Sequence, residues 1–515
     1  MRKEFNVTGT CNPQLHYMVD SDSRFRAVEQ MIDNGQYFTI NRARQFGKTT
    51  LLRMIWRKLS DRYLVVPISF EGVGDTAFSS ESAFVKMFVT MMADYLESVG
   101  KDRELASVWK EADIETITGL SSLVERFTRA SAKPVVLTID EVDKSSDNQL
   151  FLSFLGMLRV KYLDRELKGM NSTFHSVILA GVYDIKNLKL RLRADEERKY
   201  NSPWNIATDF DVDMSFQPAE ITAMLDEYDK DTQSGMDTAE TGREIYRFTS
   251  GYPFLVSYIC KLIDEQFHDW SHAGILSAVK HIVRGGSTLM DDLAKNLENF
   301  PEFREFIYRI SFNSEPVTFT LMNPMVSMGN MFSYIKPKDG RVVIHNLVFE
   351  EAIFLYFTTD YAIKQGARLA PFQSGYIVNG QLNMEFVLSR FRAMMQEEYR
   401  KEDEAFLEKN ARLIFLSFLK PIINGTGFYY VEPQTRENRR MDLVVTYGTQ
   451  EFVIELKIWR GEAYQESGMK QLADYLTIRS HHVGYLLCFD FSSRKEPVEP
   501  AWKEINGKRV FEVRV

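Results

Sequence analysis

Two sets of residues in this 515-residue chain have types and spacings that could do chemistry. The first is Gly47-Lys48-Thr49-Thr50, preceded by Arg44-Gln45-Phe46 and by the apolar run Tyr37–Asn41. A short strand, a tight loop and a helix start would set backbone N–H groups around a phosphate. Lys48 offers a point charge for terminal phosphates, and the Thr49 hydroxyl can ligate Mg²⁺. In the pattern Gly-x-x-x-x-Gly-Lys-Ser/Thr the first glycine falls on position 42, which is Arg42 here. Taken alone, Gly47-Lys48-Thr49 also suits an ordinary helix start.

A second segment completes the first. Lys133-Pro-Val-Val-Leu-Thr-Ile-Asp140-Glu141 reads as a buried strand ending in two carboxylates. Hydrolysis of a nucleotide needs an acid at a strand tip to hold the Mg²⁺ shell and a neighbour to orient the attacking water. Asp140 suits the first role and Glu141 the second. The pair of segments predicts ATP and Mg²⁺ as cofactors, with Thr49 and Asp140 on the metal.

The other set lies near the end of the chain. Asp442 heads one strand of a predicted hairpin, and Glu455-Leu456-Lys457 sits on the next. Residues two apart on a strand share a face. Asp442 and Glu455 would make an oxygen-rich Mg²⁺ site, with Lys457 positioning water or stabilising developing charge. That is a kit for metal-assisted phosphodiester hydrolysis. The bland reading is a solvated strand face. It must explain Glu455 and Lys457 alternating with Val453, Ile454, Leu456 and Ile458, since burying such charges without a function is costly. Gln471 on the following helix could hydrogen-bond beside the site. Glu408 on the preceding helix could add a carboxylate or simply form a helix-surface salt bridge. Arg436, Arg439 and Arg440 offer a local cationic patch for DNA phosphates, or pair with Glu432 and Glu437.

The elements that must position these groups follow from pattern. Residues 1–25 read as a polar arm. Strands over Tyr37–Asn41, Leu64–Phe70, Pro134–Asp140 and Ser176–Gly181 alternate with helices such as Thr49–Ser60 and Ser82–Ser98, predicting a parallel sheet within 26–215. Residues 216–300 read as a helical lid, with Pro218 and Glu220 in a first turn. Gly251-Tyr-Pro253 stops one helix and starts the next, and a plain turn is enough to explain it. Residues 301–364 combine helices with an Asp339-Gly340 hairpin, a winged-helix-like pattern. Lacking a basic recognition helix, it suits an internal role. A linker over 365–384, with Gly366, Pro371, Gly375 and Gly380, leads to an α/β domain at 385–515. That domain is expected to hold a charged helix through Glu398–Phe418 and strands Gly427–Glu432, Met441–Tyr447, Glu451–Leu456 and Val483–Phe489.

Composition bounds the class. The 44% hydrophobic and 26% charged content is that of an ordinary globular protein with several domains. A net charge of −8 gives no global pull toward nucleic acid, so any such binding is local. The three cysteines, Cys11, Cys260 and Cys488, lie far apart and form no metal-ligand spacing. No signal-type apolar region follows the N-terminus, and the longest apolar runs are too short for a bilayer. A cytoplasmic protein without a membrane partner is expected.

Asp442, Glu455-Leu-Lys457 and the helix bearing Gln471 resemble the PD-(D/E)XK nuclease superfamily. The run Glu432 to Asp442 and on through Ile458-Trp-Arg-Gly is similar to a nuclease-like domain fused to AAA-like ATPases in bacteria. Arg42-x-Arg44-x-Phe46-Gly47-Lys48-Thr49 and Asp140-Glu141-Val-Asp-Lys resemble the motifs of that ATPase family, which tolerates loss of the first glycine. Gly251-Tyr-Pro253 looks like the Gly-x-Pro signature of STAND-type switch ATPases, whose proline sits near the nucleotide. The resemblance implies an α/β fold: a P-loop NTPase parallel sheet, a helical lid, a winged-helix-like domain and a C-terminal α/β PD-(D/E)XK nuclease-like domain. It implies an ATP-driven switch controlling a Mg²⁺-dependent DNA endonuclease, in defence or DNA processing, and it admits a homo-oligomer. The rival is a non-cutting signalling or assembly ATPase whose last domain only binds DNA or protein. The strand Ser176–Gly181 ends without a Ser, Thr or Asn sensor, which argues for slow turnover.

Overall fold

The computed structural model describes residues 2–99, 103–142, 149–182, 204–285, 287–312, 317–365, 375–398, 404–423, 427–430, 443–459, 461–478, 480–490 and 498–515. They form two compact units. One comprises Met1–Ile282 with Thr320–Ile335, the other Val283–Phe319 with Lys336–Val515. Among the described residues no helix is long and apolar enough to cross a membrane.

The first unit begins with α1 (Asp22–Asp33), β1 (Tyr37–Asn41), α2 (Lys48–Leu59), β2 (Leu64–Ser69), α3 (Glu81–Val99), α4 (Arg103–Lys110) and α5 (Ile117–Ala130). It continues with β3 (Val135–Asp140), α6 (Gln149–Leu163), α7 (Arg165–Lys168) and β4 (Ser176–Gly181). The four strands pair in the order β1-β4-β3-β2, all parallel. Every residue of β3 and β4 is buried. Their near-continuous apolar runs are what a sheet covered on both faces requires. Phe84, Phe88, Trp109, Phe127 and Phe154 pack over one face. The four expected strands are present, with boundaries shifted by at most one residue.

Helices α8 (Pro218–Thr232), α9 (Thr238–Thr249), α10 (Pro253–Leu262) and α11 (His272–Arg284) follow. Pro218 opens α8, and Gln217 and Glu220 form a reciprocal capping box. The N-terminal residues, expected as a polar arm, also bury apolar side chains. Phe5 and Tyr17 are buried, with ring centroids 5.0 Å apart, and Phe5 lies 5.2 Å from Tyr228 of α8. Tyr17 donates to Asp231 at 2.9 Å, and Lys3 pairs with Glu227 at 2.5 Å. Alternating polar residues masked three apolar anchors, Phe5, Tyr17 and Val19, whose burial outweighs that polarity.

The second unit holds α12 (Thr288–Asn299) and α13 (Pro301–Phe312); α14 (Pro324–Met331) falls in the first. The hairpin β5 (Ile335–Lys338) and β6 (Arg341–Ile344) turns through Asp339 and Gly340, both at positive φ. Then come α15 (Leu347–Gln365), a small hairpin β7 (Ile377–Val378) and β8 (Gln381–Leu382), α16 (Met384–Glu398) and α17 (Glu404–Ile423). Within the expected linker, β7 and β8 form a small hairpin, and α17 covers, from Glu404 on, the charged helix expected through Glu398–Phe418.

The rest is one six-stranded sheet. It contains β9 (Gly427–Tyr430), β10 (Leu443–Tyr447), β11 (Gln450–Ile458), β12 (Val483–Phe489), β13 (Ala501–Ile505) and β14 (Lys508–Arg514), with α18 (Glu462–Ile478) after β11. The order is β13-β14-β12-β11-β10-β9. Strands β11, β12 and β14 run parallel, and the others are antiparallel to their neighbours. Leu472, Tyr475 and Leu476 of α18 pack on Val453, Leu486, Cys488 and Val510. Strands β13 and β14 were not expected; β13 is exposed along nearly its whole length and carries Lys503 and Glu504.

Candidate nucleotide site and a buried charged sheet face

The candidate nucleotide site lies where β1 ends and α2 begins. Gln45 and Gly47 both take left-handed backbone, at φ 59° and 83°. Gly47 sits at the helix N-cap, where such a φ favours glycine. The first-turn amides and the positive end of α2 face the loop. Lys48 is buried and donates to the carbonyls of Arg42 at 2.9 Å and Ala43 at 3.0 Å. The Thr49 hydroxyl donates to Asp140 Oδ2 at 2.8 Å.

Asp140 reaches that position because β3 pairs with β2 in register, Ser69 opposite Asp140, and ends at the same edge as β1. Its other oxygen, Oδ1, accepts from the Glu141 amide at 2.9 Å. Glu141 itself has φ 56°, uncommon for a residue with a side chain. Such backbone strain costs about 1–3 kcal/mol and tends to be kept where it aims a group. A hydroxyl and a carboxylate side by side suit a hard, oxygen-seeking cation. Thus Lys48, Thr49, Asp140 and Glu141, far apart in sequence, are brought to one place.

Arg42, standing where a glycine was expected, has its own task. It donates to the carbonyls of Phe210 at 3.3 Å and Val212 at 2.8 Å, and it lies over the Phe210 ring. Burial draws its guanidinium below the usual range. Arg24 of α1 holds the next residues, donating to Asp213 at 2.9 Å, Ser215 at 2.6 Å and Glu220 at 2.6 Å. Two arginines therefore fasten the strap over 210–215 that leads into α8.

Gly251-Tyr-Pro253 is more than a turn. Pro253 opens α10, as expected. Tyr252, overlooked in the sequence, donates its hydroxyl to the Arg44 carbonyl at 2.7 Å. Its ring meets Phe46 edge-on at 4.6 Å. Gly251 has φ 73°, and a Cβ there would fall 2.0 Å from the Phe216 carbonyl oxygen. Only glycine fits, and it presents Tyr252 to the loop. The Thr50 hydroxyl accepts from the Cys11 amide at 3.4 Å, so the N-terminal residues touch the loop as well. Gly-x-Pro was the available signal; that its middle residue makes the contact could not be read from it.

On the six-stranded sheet, Glu455 is fully buried and Lys457 meets it at 2.7 Å. Both face α18, where Gly468 leaves room for the Lys457 chain. Asp442, Arg436, Arg439 and Arg440 lie outside the described residues, as does the side chain of Glu408. Leu443, which follows Asp442 in sequence, pairs with Ile454. Gln471 is half-buried on α18. The glutamine that the structure ties to this face by a hydrogen bond is Gln465, which accepts from Arg514 at 3.3 Å. Among the described residues no three His, Cys, Asp or Glu side chains cluster closely enough to hold a metal ion.

Several solved structures are similar to this chain. The Walker-type ATPase PABY2304 of Pyrococcus abyssi is 13% identical, covering 68% of this chain and 99% of its own, with a TM-score of 0.48. The Aeropyrum pernix ORC1 protein, solved in complex with DNA, is 12% identical over 68% and 94%, at 0.30. The Thermotoga maritima RuvB Holliday junction branch migration motor is 10% identical over 63% and 92%, at 0.31. No curated protein matches the chain. A profile of the AAA-like domain matches residues 12–323, a span that includes Gly47-Lys48-Thr49, Asp140-Glu141 and helices α8 to α11. That match spans more than half of the chain, which belongs to the AAA-like domain family and is a P-loop ATPase.

Proposed function

We propose that this ATPase is a nucleotide-controlled switch acting on a Mg²⁺-dependent DNA endonuclease domain in the same chain. The observation that carries the switch is the direct bond from Tyr252 to the Arg44 carbonyl of the phosphate loop. A phosphate entering that loop displaces Lys48 from the Arg42 and Ala43 carbonyls it now holds. Shifts of Arg42 and Arg44 are felt by the strap and by α10, which those residues grip. Thr49 and Asp140 are the residues that would hold Mg²⁺, which neutralises phosphate charge. Glu141 orients the attacking water. ATP turnover by the purified chain, set against Lys48→Ala, tests the first half of this reading.

The second half is supported by an acid and a lysine sharing one buried face of the C-terminal sheet. Plasmid nicking with Mg²⁺ and ATP, compared with Asp442→Ala, tests it. One observation favours the other reading, a non-cutting signalling or assembly ATPase: Glu455 is wholly shielded from solvent and joined to Lys457. A wild-type chain that hydrolyses ATP and binds DNA but never nicks it selects that alternative.

A further inference from the structure

The sheet face beneath α18 carries more charge than Glu455 and Lys457. Glu512 of β14 is buried and pairs with Lys503 of β13. Arg514, two residues on, shares that face. Register aligns Lys457 with Cys488 and Cys488 with Arg514. The two cations thus stand in one row across three parallel strands, about 10 Å apart at the backbone for two strand spacings. Both lie at the carboxyl ends of those strands, where open α/β sheets bind ligands. Burial pushes the Cys488 thiol up to about 12, so the residue between them stays neutral.

Arg514 is braced but not fully used. Its guanidinium lies 3.5 Å over the Trp459 ring, and Nη2 donates to Gln465 at 3.3 Å. Its contact with Asp490 is long, 3.9 Å. Its Nε is buried and, among the described residues, has no hydrogen-bond partner. Gln465 is only 7% exposed, and its Nε2 is likewise buried with no partner among the described residues. Unmet buried donors are costly, and such groups call for an acceptor. Gln465 also lies in the first turn of the 17-residue α18, whose positive end favours an anion. Asp490, Glu455 and Glu512 hold the net charge of the face near zero. The directed donors, rather than bulk charge, therefore select the ligand.

We propose that Arg514, braced by Trp459 and Gln465, is a phosphate-binding residue that holds a DNA strand beside Glu455 and Lys457. The inference rests on reading this sheet as a DNA-binding, nuclease-like domain. A planar guanidinium fixed on an aromatic ring aims its Nη1 donor, only loosely engaged by Asp490 at 3.9 Å, in one direction for a phosphate oxygen, which a flexible lysine cannot match.

The test is fluorescence anisotropy of a labelled single-stranded oligodeoxynucleotide with the full chain in EDTA, over a range of salt. Arg514→Gln is expected to weaken binding about 5- to 10-fold and to flatten the salt slope by about 0.7, one phosphate contact on a single strand. Arg514→Lys should keep the slope and lose about 2- to 5-fold in affinity. Thermal melting checks the fold of each. Should Arg514→Gln not fold, Arg514→Lys decides alone. Wild-type affinity in the folded variants, or no DNA binding by the wild type, overturns the proposal. Cleavage is read separately with Mg²⁺. A wild type that binds DNA through Arg514 but never cuts removes only the nuclease reading. A chain that cuts while Arg514→Gln leaves KM and affinity unchanged sinks only this inference.

Discussion

The Thr49 hydroxyl donates to the Asp140 carboxylate at 2.8 Å, across 91 residues of sequence. This one contact joins the start of α2 to the tip of β3. It sets side by side the hydroxyl and the carboxylate proposed to hold a nucleotide-bound cation.

Lys48→Ala should abolish ATP binding and leave the fold intact. Lys48 donates to the loop carbonyls of Arg42 and Ala43, so the substitution removes a charged loop contact rather than apolar packing. Isothermal titration reads the affinity, and an unchanged value would reduce Gly47-Lys48-Thr49 to a helix start.

Glu141→Gln should bind ATP normally and hydrolyse it about 100-fold more slowly or worse. The substitution keeps shape and removes the charge that orients water, while the Asp140 bond to the residue 141 amide remains. A phosphate-release assay under saturating ATP measures this. Turnover at the wild-type rate would assign the role to another residue.

Tyr252→Phe keeps the edge-on contact with Phe46 and deletes the bond to Arg44. The expected cost is about 1 kcal/mol, seen as a several-fold weaker ATP affinity in a normally folded protein. Gly251→Ala should be far worse, since its Cβ would strike the Phe216 carbonyl. Equal nucleotide affinity in wild type and Tyr252→Phe would sever the lid from the loop.

Asp442→Ala and Glu455→Gln should each abolish plasmid nicking and preserve DNA binding. Replacing Arg436, Arg439 and Arg440 together should instead weaken binding and flatten its salt dependence. Gel assays on supercoiled plasmid separate the two effects. Nicking that survives Asp442→Ala would end the catalytic assignment.

His345, between β6 and α15, gives a pH dependence. Burial, with Lys336 nearby, holds its imidazole down to about 3 against an ordinary 6.5. The folded form therefore stays neutral while the unfolded chain takes up a proton as pH falls below 6.5. Stability is full above that value and is lost progressively toward pH 3, on the order of 5 kcal/mol in total. Denaturant melts at pH 7.5 and pH 5 should differ more for the wild type than for His345→Gln. Equal pH dependence in the two proteins would remove His345 as the cause.

The four strands of the parallel sheet were legible in the sequence, as were Gly47-Lys48-Thr49 and Asp140-Glu141 as candidates at two of their ends. These are local patterns: apolar runs of β-branched residues, and a Gly-Lys-Thr whose chemistry depends on neighbours in the chain. The sequence also marked Glu455 and Lys457, because charge alternating with apolar residues on one strand is locally visible. Tertiary structure alone decided the rest. Arg42 looked like a defect in a motif until the carbonyls of Phe210 and Val212, some 170 residues away, were set against it. Tyr252 was an unremarked residue between a glycine and a proline until α10 packed its hydroxyl on Arg44. Phe5 and Tyr17 belonged to a polar stretch until Tyr228 gave them a surface to bury against. Arg514 met Trp459 and Gln465 only through strand order, because β14 inserts between β13 and β12. Such partners lie far apart in sequence, and no local periodicity encodes which distant groups a fold will bring within hydrogen-bonding reach.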